Sequence, residues 1–584
     1  MRALAWVALS VVVACGASRA PSATGTAGPA SAPASAATPD AGAPLDVAPL
    51  TDDATWERWK RADYAVLVPH RFVAAIAPLV RHREAGGHVA AIVEVEPLFA
   101  RFSKGRPDAR ALKEAVTRLA AHANGRLRFV LLVGDVDHPN DLASTDAPVP
   151  TFYAKKMDYE HHSPDEHRRA PNGVTQAEHE KYPTDHPLEL AGANGARIAV
   201  GRIPARTEAQ VQAVVQKIIG YETTDRDGPW RRRVDIVTGP ANYGAVADAA
   251  IESIASRMLD EELSYDYDVD FTFTKPDSPY AHRLDKLRER FIAGLDAGAL
   301  VAAYVGHGAV ASFDHVFYRN EYWEIGTADD AAALRIAAGK PIFFSFACDT
   351  GAYDRPEGRA SIAEQMILNP TGPVAVFASS RESHPYANAL YAAAVIKRFL
   401  GDRSATIGEG ILAVKEAMRS RSIAGSELMV DVDIDTLKRE HEGLYNLLGD
   451  PATHLRYPDA ATVTASATEV KPGDKLTVTI AAPTVASGTV TVTIETPRSV
   501  IRGALVSPAS MESMSHADAF AAMDENRRKA ANKVVTQVRP STMKDGRATV
   551  TLVAPSEPGA YVVKAIASGN GATAAGHGML RVAR

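Results

Sequence analysis

The 584-residue sequence predicts an α/β protein built on a mainly parallel sheet and followed by a small β-sandwich, and three observations carry that reading. Between Asp63 and about Pro458, short apolar runs alternate with helical patterns, as parallel strands joined by helical crossovers do. Past Pro458 the apolar residues recur with period two, as in half-buried antiparallel strands. The chain also exceeds the roughly 250–300 residues at which one hydrophobic core stops growing, so it divides into two or more domains.

Residues 1–15 form an export signal. Met1-Arg2 is followed by an apolar run from Ala3 to Ala14, far short of the ~20 residues a bilayer span requires. Val12-Val13-Ala14-Cys15 resembles the lipobox of bacterial lipoproteins, in which cleavage before the Cys leaves a lipidated N-terminus, so Cys15 is the expected lipid anchor. The plainer alternative is that Ala14 ends an ordinary secretory signal. Residues 16–50 are Ala, Pro, Ser, Thr and Gly with few charges and no apolar period. Such a segment buries too little surface to offset its ordering entropy and reads as a tether, too short to be a folded inhibitory prodomain.

The expected strands are Tyr64–Val68, His88–Val95, Phe129–Val133, Ile198–Val200, Val234–Val237, Val269–Phe273, Leu300–Val305, Ile342–Phe346 and Val374–Phe377. Most are continuous apolar runs, as strands covered on both faces should be. Val211, Val214, Val215, Ile218 and Ile219 lie on one stripe of a helix, with Thr207 and Gln210 placed as a capping box. The polar, breaker-rich stretch Glu222–Pro229 then separates two α/β halves, 51–225 and 226–458. In 459–584, Leu476, Val478 and Ile480 alternate with threonines, as do Val490, Val492 and Ile494. The turns Lys471-Pro-Gly-Asp474 and Lys544-Asp-Gly546 complete a sandwich of immunoglobulin type, interrupted by a polar helical insertion at about 510–535 that matches no motif.

A net charge of -6 and a pI near 6.3 leave no broad basic surface, which argues against nucleic acid as a partner. Cysteine usage is more informative. With Cys15 lipidated, Cys348 has no disulfide partner in an oxidising compartment, so it is either a buried small hydrophobe or a reactive thiol. It follows the apolar run Ile342–Ala347, and Gly306-His307-Gly308 follows Leu300–Val305. Ligands gather at the carboxyl ends of strands in open α/β sheets, so a Cys and a His there suit thiolate attack and proton transfer. The N–H groups of Gly308 and Cys348 are the candidate oxyanion donors.

Tyr304-Val-Gly-His-Gly308, followed by Phe344-Ser-Phe-Ala-Cys-Asp-Thr-Gly-Ala-Tyr-Asp354, resembles the His and Cys motifs of the gingipain-like cysteine peptidases of family C25, members of the caspase-like fold group. Val130–Asp135, Arg197–Pro204, Ser361–Leu368, Pro373–Arg381 and Leu448–Pro451 resemble further segments of that family in the same order, from about Tyr64 to Pro458. The resemblance implies a caspase-like sheet with helices on both faces. It also implies an endopeptidase that forms a thioester at Cys348, with His307 as proton shuttle. Tyr182-Pro-Thr-Asp185 is similar to the segment whose Asp lines the pocket of arginine-specific members. Asp185 there would favour Arg or Lys before the scissile bond; the alternative is a turn cap after Pro183.

The 137–181 polar segment contains His138, His161, His162, His167 and His179, at spacings that match no zinc motif, and reads as a solvated loop. Asp135 and Asp137 are either strand-end turn residues or groups that orient His307 or hold a structural calcium. No cofactor is required by the expected chemistry. Its partners are protein or peptide substrates and, through the lipid, a membrane, in the periplasm or at the cell surface. Maturation of another exported protein is as compatible with the sequence as digestion. A function of another class, an inactive scaffold acting in adhesion or secretion through the sandwich, has no need of both a Cys and a His motif.

Overall fold

The computed structural model describes residues 59–136, 148–157, 181–224, 228–240, 258–356, 359–422, 433–569 and 571–583. The export signal, Cys15 and the tether lie outside them, as do Asp137 and the five histidines between 138 and 179. Among the described residues, no helix is long and apolar enough to cross a membrane.

The α/β class is as expected. The strands are β1 (Tyr64–Val68), β2 (Ala90–Glu94), β3 (Phe129–Val133), β4 (Phe152–Lys155), β5 (Lys181–Thr184), β6 (Ala199–Ile203), β7 (Arg233–Thr238) and β8 (Asp268–Phe273). They continue with β9 (Val301–Val305), β10 (His315–Tyr318), β11 (Glu321–Glu324), β12 (Ile342–Phe346), β13 (Ala375–Ser379) and β14 (Tyr445–Leu448). Ten of these form one sheet in the order β2-β1-β3-β6-β14-β13-β12-β9-β7-β8.

Both faces of that sheet are covered. Tyr64, Val66 and Val68 of β1 enter one apolar cluster, and Ala65 and Leu67 enter another. The first cluster takes Ile76 and Leu79 of α1 (Val73–Ala85) and Val211 and Val215 of α3 (Glu208–Thr223). The second takes Leu112, Val116 and Leu119 of α2 (Ala109–His122). The continuous apolar strands therefore have the environment their composition requires. α3 starts as its sequence indicates: the Gln210 N–H donates to Thr207 Oγ1 and the Thr207 N–H to Gln210 Oε1, each at 3.2 Å.

In the second half, α4 (Leu287–Asp296), α5 (Ile362–Leu368), α6 (Pro385–Val395), α7 (Ile407–Ser420) and α8 (Ile434–Leu444) surround the strands. β14 was not among the expected strands. Its four residues follow α8 with no intervening turn, so nothing in the sequence punctuates the change. It runs antiparallel to β13 and meets β6 at Leu448↔Arg202, which makes the sheet continuous across the two halves. Two antiparallel pairs, β4–β5 and β10–β11, were also not among the expected strands; the second turns through Arg319 and Asn320, at φ 54° and 64°.

From Asp459 onward the chain is β-rich. Asp459–Ala460 pairs with Ala574–Ala575 at one end of the sheet, and Thr462–Ala465 pairs with strand Lys475–Ala481 at the other, so the sheet wraps around a single core. Leu476, Val478, Ile480, Val490, Val492 and Ile494 point into that core, the alternation read from sequence. Between strands Ser487–Glu495 and Val534–Gln537 the chain leaves this sheet. There the helix Pro508–Glu512 and α9 (His516–Ala531) place Met511, Phe520 and Met523 in the α/β core cluster. Phe520 meets Trp323 of β11 edge to face, with ring centroids 5.6 Å apart. Phe520→Ala is expected to cost about 3 kcal/mol, because it deletes a buried ring at this junction. Urea denaturation checks this, and a loss under 1 kcal/mol would show the insertion to be loosely attached.

Candidate active site

Strand pairing assembles the site. β9 and β12 are parallel neighbours in register, Val305 opposite Phe346, so the residues after them emerge side by side. The Gly306 N–H donates to Phe346 O at 3.2 Å and continues the ladder one residue beyond β9. A Cβ on Gly308 would lie 2.8 Å from Ala347 Cβ, 2.9 Å from Thr350 Cγ2 and 3.0 Å from Cys348 O. The backbone that carries His307 thus lies directly against the backbone that carries Cys348, and glycine is what allows it. Tyr304 fixes the loop from below, its hydroxyl donating to His307 O at 3.0 Å and accepting from the Asp314 N–H at 3.3 Å.

Cys348 keeps 9% of its surface exposed and His307 is half-buried. Asp349 takes a left-handed conformation, φ 59°, a strained geometry that turns the chain sharply off the end of β12. The Asp349 N–H donates to Arg381 O at 3.1 Å and the Gly351 N–H to Ser379 O at 2.8 Å, tying this turn to the end of β13. The Cys348 sulfur rests against Ser383, 3.4 Å from its N–H nitrogen and 3.6 Å from its carbonyl oxygen. α5 reaches both loops, through Ile362 N–H to Val310 O and Ala363 N–H to Thr350 O, each 3.0 Å.

Buried charges set the loops that follow. Arg381 binds Asp354 in a fork, Nη1 to Oδ1 at 2.8 Å and Nη2 to Oδ2 at 2.6 Å. Burial opposes ionisation of Asp354, yet Arg381 holds its carboxyl below the ordinary range. Lys156 pairs with Glu382 beside Ser383. His384 is pushed down to about 4 by burial, so it is neutral near pH 7.

The model of Peptidase family C25 matches residues 57–456. The chain belongs to Peptidase family C25. It is therefore a cysteine peptidase whose substrates are proteins or peptides. Among solved structures, the chain is similar to the Arg-specific cysteine proteinase gingipain R, at 14% identity over 90% of this chain and 98% of that one, with a TM-score of 0.47. It is also similar to the complex of Porphyromonas gingivalis RgpB pro- and mature domains, at 15% identity over 89% and 100% of the two chains, TM-score 0.47. Dimeric latent PorU from Porphyromonas gingivalis matches at 16% identity over 89% of this chain and 43% of that one, TM-score 0.35. Among curated proteins none matches.

Two of the acidic residues singled out in the sequence of this C25 peptidase are engaged by arginines. The Asp185 carboxylate is 6% exposed and gripped by Arg202, Nε to Oδ2 at 2.7 Å and Nη2 to Oδ1 at 2.8 Å; Thr151 Oγ1 donates to it at 3.0 Å. Arg202 also donates to Gly134 O and Val149 O, and Tyr353 lies under its guanidinium. Asp185 is thus the anchor of a buried ion pair and not an open carboxylate at a pocket floor. Asp135 pairs with Arg206 at 2.5 Å. It lines a cleft of about 330 Å³ with Arg206, Arg355 and Glu364. Burial pushes Asp135 up to about 6; burial together with Asp135 pushes Glu364 up to about 8. Among the described residues, no group of three or more His, Cys, Asp or Glu is placed to hold a metal ion.

Gly308→Ala is expected to lower peptidase activity at least tenfold with a smaller fall in melting temperature, because the methyl group forces the His and Cys loops apart. Unchanged turnover would remove the close approach from the catalytic geometry. Arg381→Met leaves Asp354 buried without its counter-charge and is expected to cost about 3–5 kcal/mol at pH 7. The sign with pH is set by Asp354. Its depressed native pKa gives the wild type stability that is present above about pH 4 and lost as pH falls through the native value. The variant's Asp354 is relieved by protonation, so the stability gap narrows in acid. A gap that widened in acid would overturn the assignment.

Proposed function

We propose that the protein is an exported, lipid-anchored cysteine endopeptidase in which Cys348 is the nucleophile and His307 the proton shuttle. The single observation that supports it most directly is the close approach of two adjacent strand ends, which puts the His307 and Cys348 backbones in contact at Gly308. The Cys348 thiolate attacks the carbonyl carbon of the scissile bond. The negative charge that develops on oxygen is met by the N–H groups of Gly308 and Cys348. Collapse breaks the C–N bond, His307 delivers a proton to the leaving amine, and a thioester joins the acyl group to sulfur. Water, deprotonated by His307, then attacks the thioester and releases the acid, returning the proton to the sulfur–imidazole pair. The route uses no cofactor. Export and anchorage at Cys15 rest on the signal and lipobox-like sequence.

A preference for Arg or Lys through Asp185 would require the carboxylate to exchange Arg202 for a substrate cation. Breaking a buried pair costs several kcal/mol, so the residue before the scissile bond is more economically read by groups other than Asp185. Cys348→Ala and His307→Ala should each abolish cleavage in a mixed peptide library, the former by on the order of 10³-fold or more. The same library, run on the wild type, reports the preference. Full activity in either variant would refute the assignment.

A further inference from the structure

Behind Cys348, on the side of β13 and away from the His307 loop, lies a chain of buried polar groups that the mechanism above does not use. Ser383, Asn388 and Tyr445 are 5%, 6% and 0% exposed and come from the β13–α6 loop, from α6 and from β14. Tyr445 Oη donates to Asn388 Oδ1 at 2.6 Å, and Asn388 Nδ2 donates to Ser383 Oγ at 2.9 Å. Ser383 Oγ lies 4.0 Å from Cys348 Sγ, within reach of a hydrogen bond to sulfur, and 3.4 Å from Tyr445 Oη.

The polarity of this chain runs in one direction. Tyr445 uses its only proton on the Asn388 carbonyl, which fixes the amide with its NH₂ toward Ser383. Ser383 Oγ accepts that N–H, so its own proton is left to donate. The Ser383 backbone presents a second donor to the same sulfur, its N–H at 3.4 Å, and a carbonyl acceptor at 3.6 Å. A thiol satisfies the carbonyl; a thiolate is met by the N–H and by the hydroxyl. Donors to an ionised group are worth about twice those to a neutral one, so the arrangement favours the thiolate.

We propose that Tyr445, Asn388 and Ser383 form a hydrogen-bond relay that holds Cys348 as a reactive thiolate, Ser383 touching the sulfur and Asn388 and Tyr445 acting as positioning residues. The proton leaves sulfur for His307 or solvent, and none of the three relay residues changes its own protonation state. The surrounding charges are largely paired: Asp349 with Arg355, Asp354 with Arg381 and Glu382 with Lys156. His384 and His441 are kept neutral by burial. His307, on the neighbouring loop after β9, is half-buried. Tyr445→Phe keeps the ring that lies 6.3 Å from the His441 ring, and none of the relay substitutions adds or removes a charged group.

The inference rests on Cys348 being the nucleophile, and the experiment separates the two. Full-length wild type, Ser383→Ala, Asn388→Ala, Tyr445→Phe and Ser383→Thr are alkylated with iodoacetamide across pH 4–10. Modification is read on the Cys348 peptide by mass spectrometry, which keeps Cys15 apart. The first three variants are expected to raise the midpoint of the rate profile by about one pH unit, roughly a tenfold loss of thiolate at fixed pH. Ser383→Thr, which keeps the hydroxyl, should stay within a few tenths of a unit of the wild type, and kcat should fall with the thiolate fraction while KM holds. A merely structural role would lower melting temperature and leave the midpoints in place, and that result overturns the relay. Activity retained by Cys348→Ala overturns the nucleophile instead.

Discussion

The pairing of β9 with β12 is the constraint on which the rest of the molecule depends. Parallel strands in register end together, and here Val305 ends two residues before a histidine and Phe346 two residues before a cysteine. Neither strand holds itself. β9 is flanked by β7 and β12 by β13, each pairing parallel, and helices cover both faces of the sheet, so a shift of either strand end would move four strands at once. The cost of bringing the proposed pair together from positions 41 apart in sequence is thereby carried by a core that exists for other reasons.

Around that edge, buried ion pairs join segments that are distant in the chain. Arg381 links the loop after β13 to the loop after Cys348; Arg202 links β6 to the β5 end and lies over Tyr353; Arg83 links α1 to Asp450 after β14. Buried pairs of this kind contribute little net stability compared with apolar residues of similar size, but breaking one is expensive, so each specifies where its loop must go. This accounts for the family-like segments that carry no chemistry of their own. Asp354, Arg381, Arg202 and Asp450 are the members of such pairs. Gly201 is a glycine because a Cβ there would come within 2.2 Å of the Gly449 carbonyl oxygen, and Gly449 because its φ is 135° and a Cβ would lie 2.9 Å from Ala375 Cβ.

The same contrast explains what was legible in the sequence. Tyr64–Val68, Phe129–Val133 and Ile342–Phe346 were readable to the residue because burial on both faces demands an uninterrupted apolar run. His307 and Cys348 stand out as candidates because each closely follows such a run, and the structure brings their backbones together. β14 was not, since four residues running straight on from α8 have no period or turn to announce them. The partner of Asp185 was not legible either. A carboxylate near an arginine in sequence can reach a substrate or a side chain equally well, and only the placement of Asp185, after β5, beside Arg202 of β6 and residues 149–151 decides it. Ser383, Asn388 and Tyr445 belong to three elements and form one chain of donors only once β13 and β14 are antiparallel neighbours.

The helical insertion in the β-rich C-terminal region reaches the surroundings of the candidate site. The His307 loop runs on through a bridge between Gly308 and Phe313 into the β10–β11 hairpin. That hairpin is gripped from outside: Trp323 packs on Phe520, and Arg319 donates to Met511 O. Farther along, Arg527 of α9 binds Asp270 on β8, Arg498 donates to the carbonyls of Leu263, Ser264 and Tyr267, and Lys564 pairs with Asp268. The contacts combine an aromatic pair in the main core with charged groups distributed along one edge of the sheet, which is the pattern of a fixed joint and not of a module on a linker. A β-rich region held in this way is tied through the β10–β11 hairpin to the loop that carries His307, and the 510–535 segment, a polar helical insertion that matches no motif, supplies the contacts to that hairpin while Arg498 and Lys564 supply others along the sheet edge.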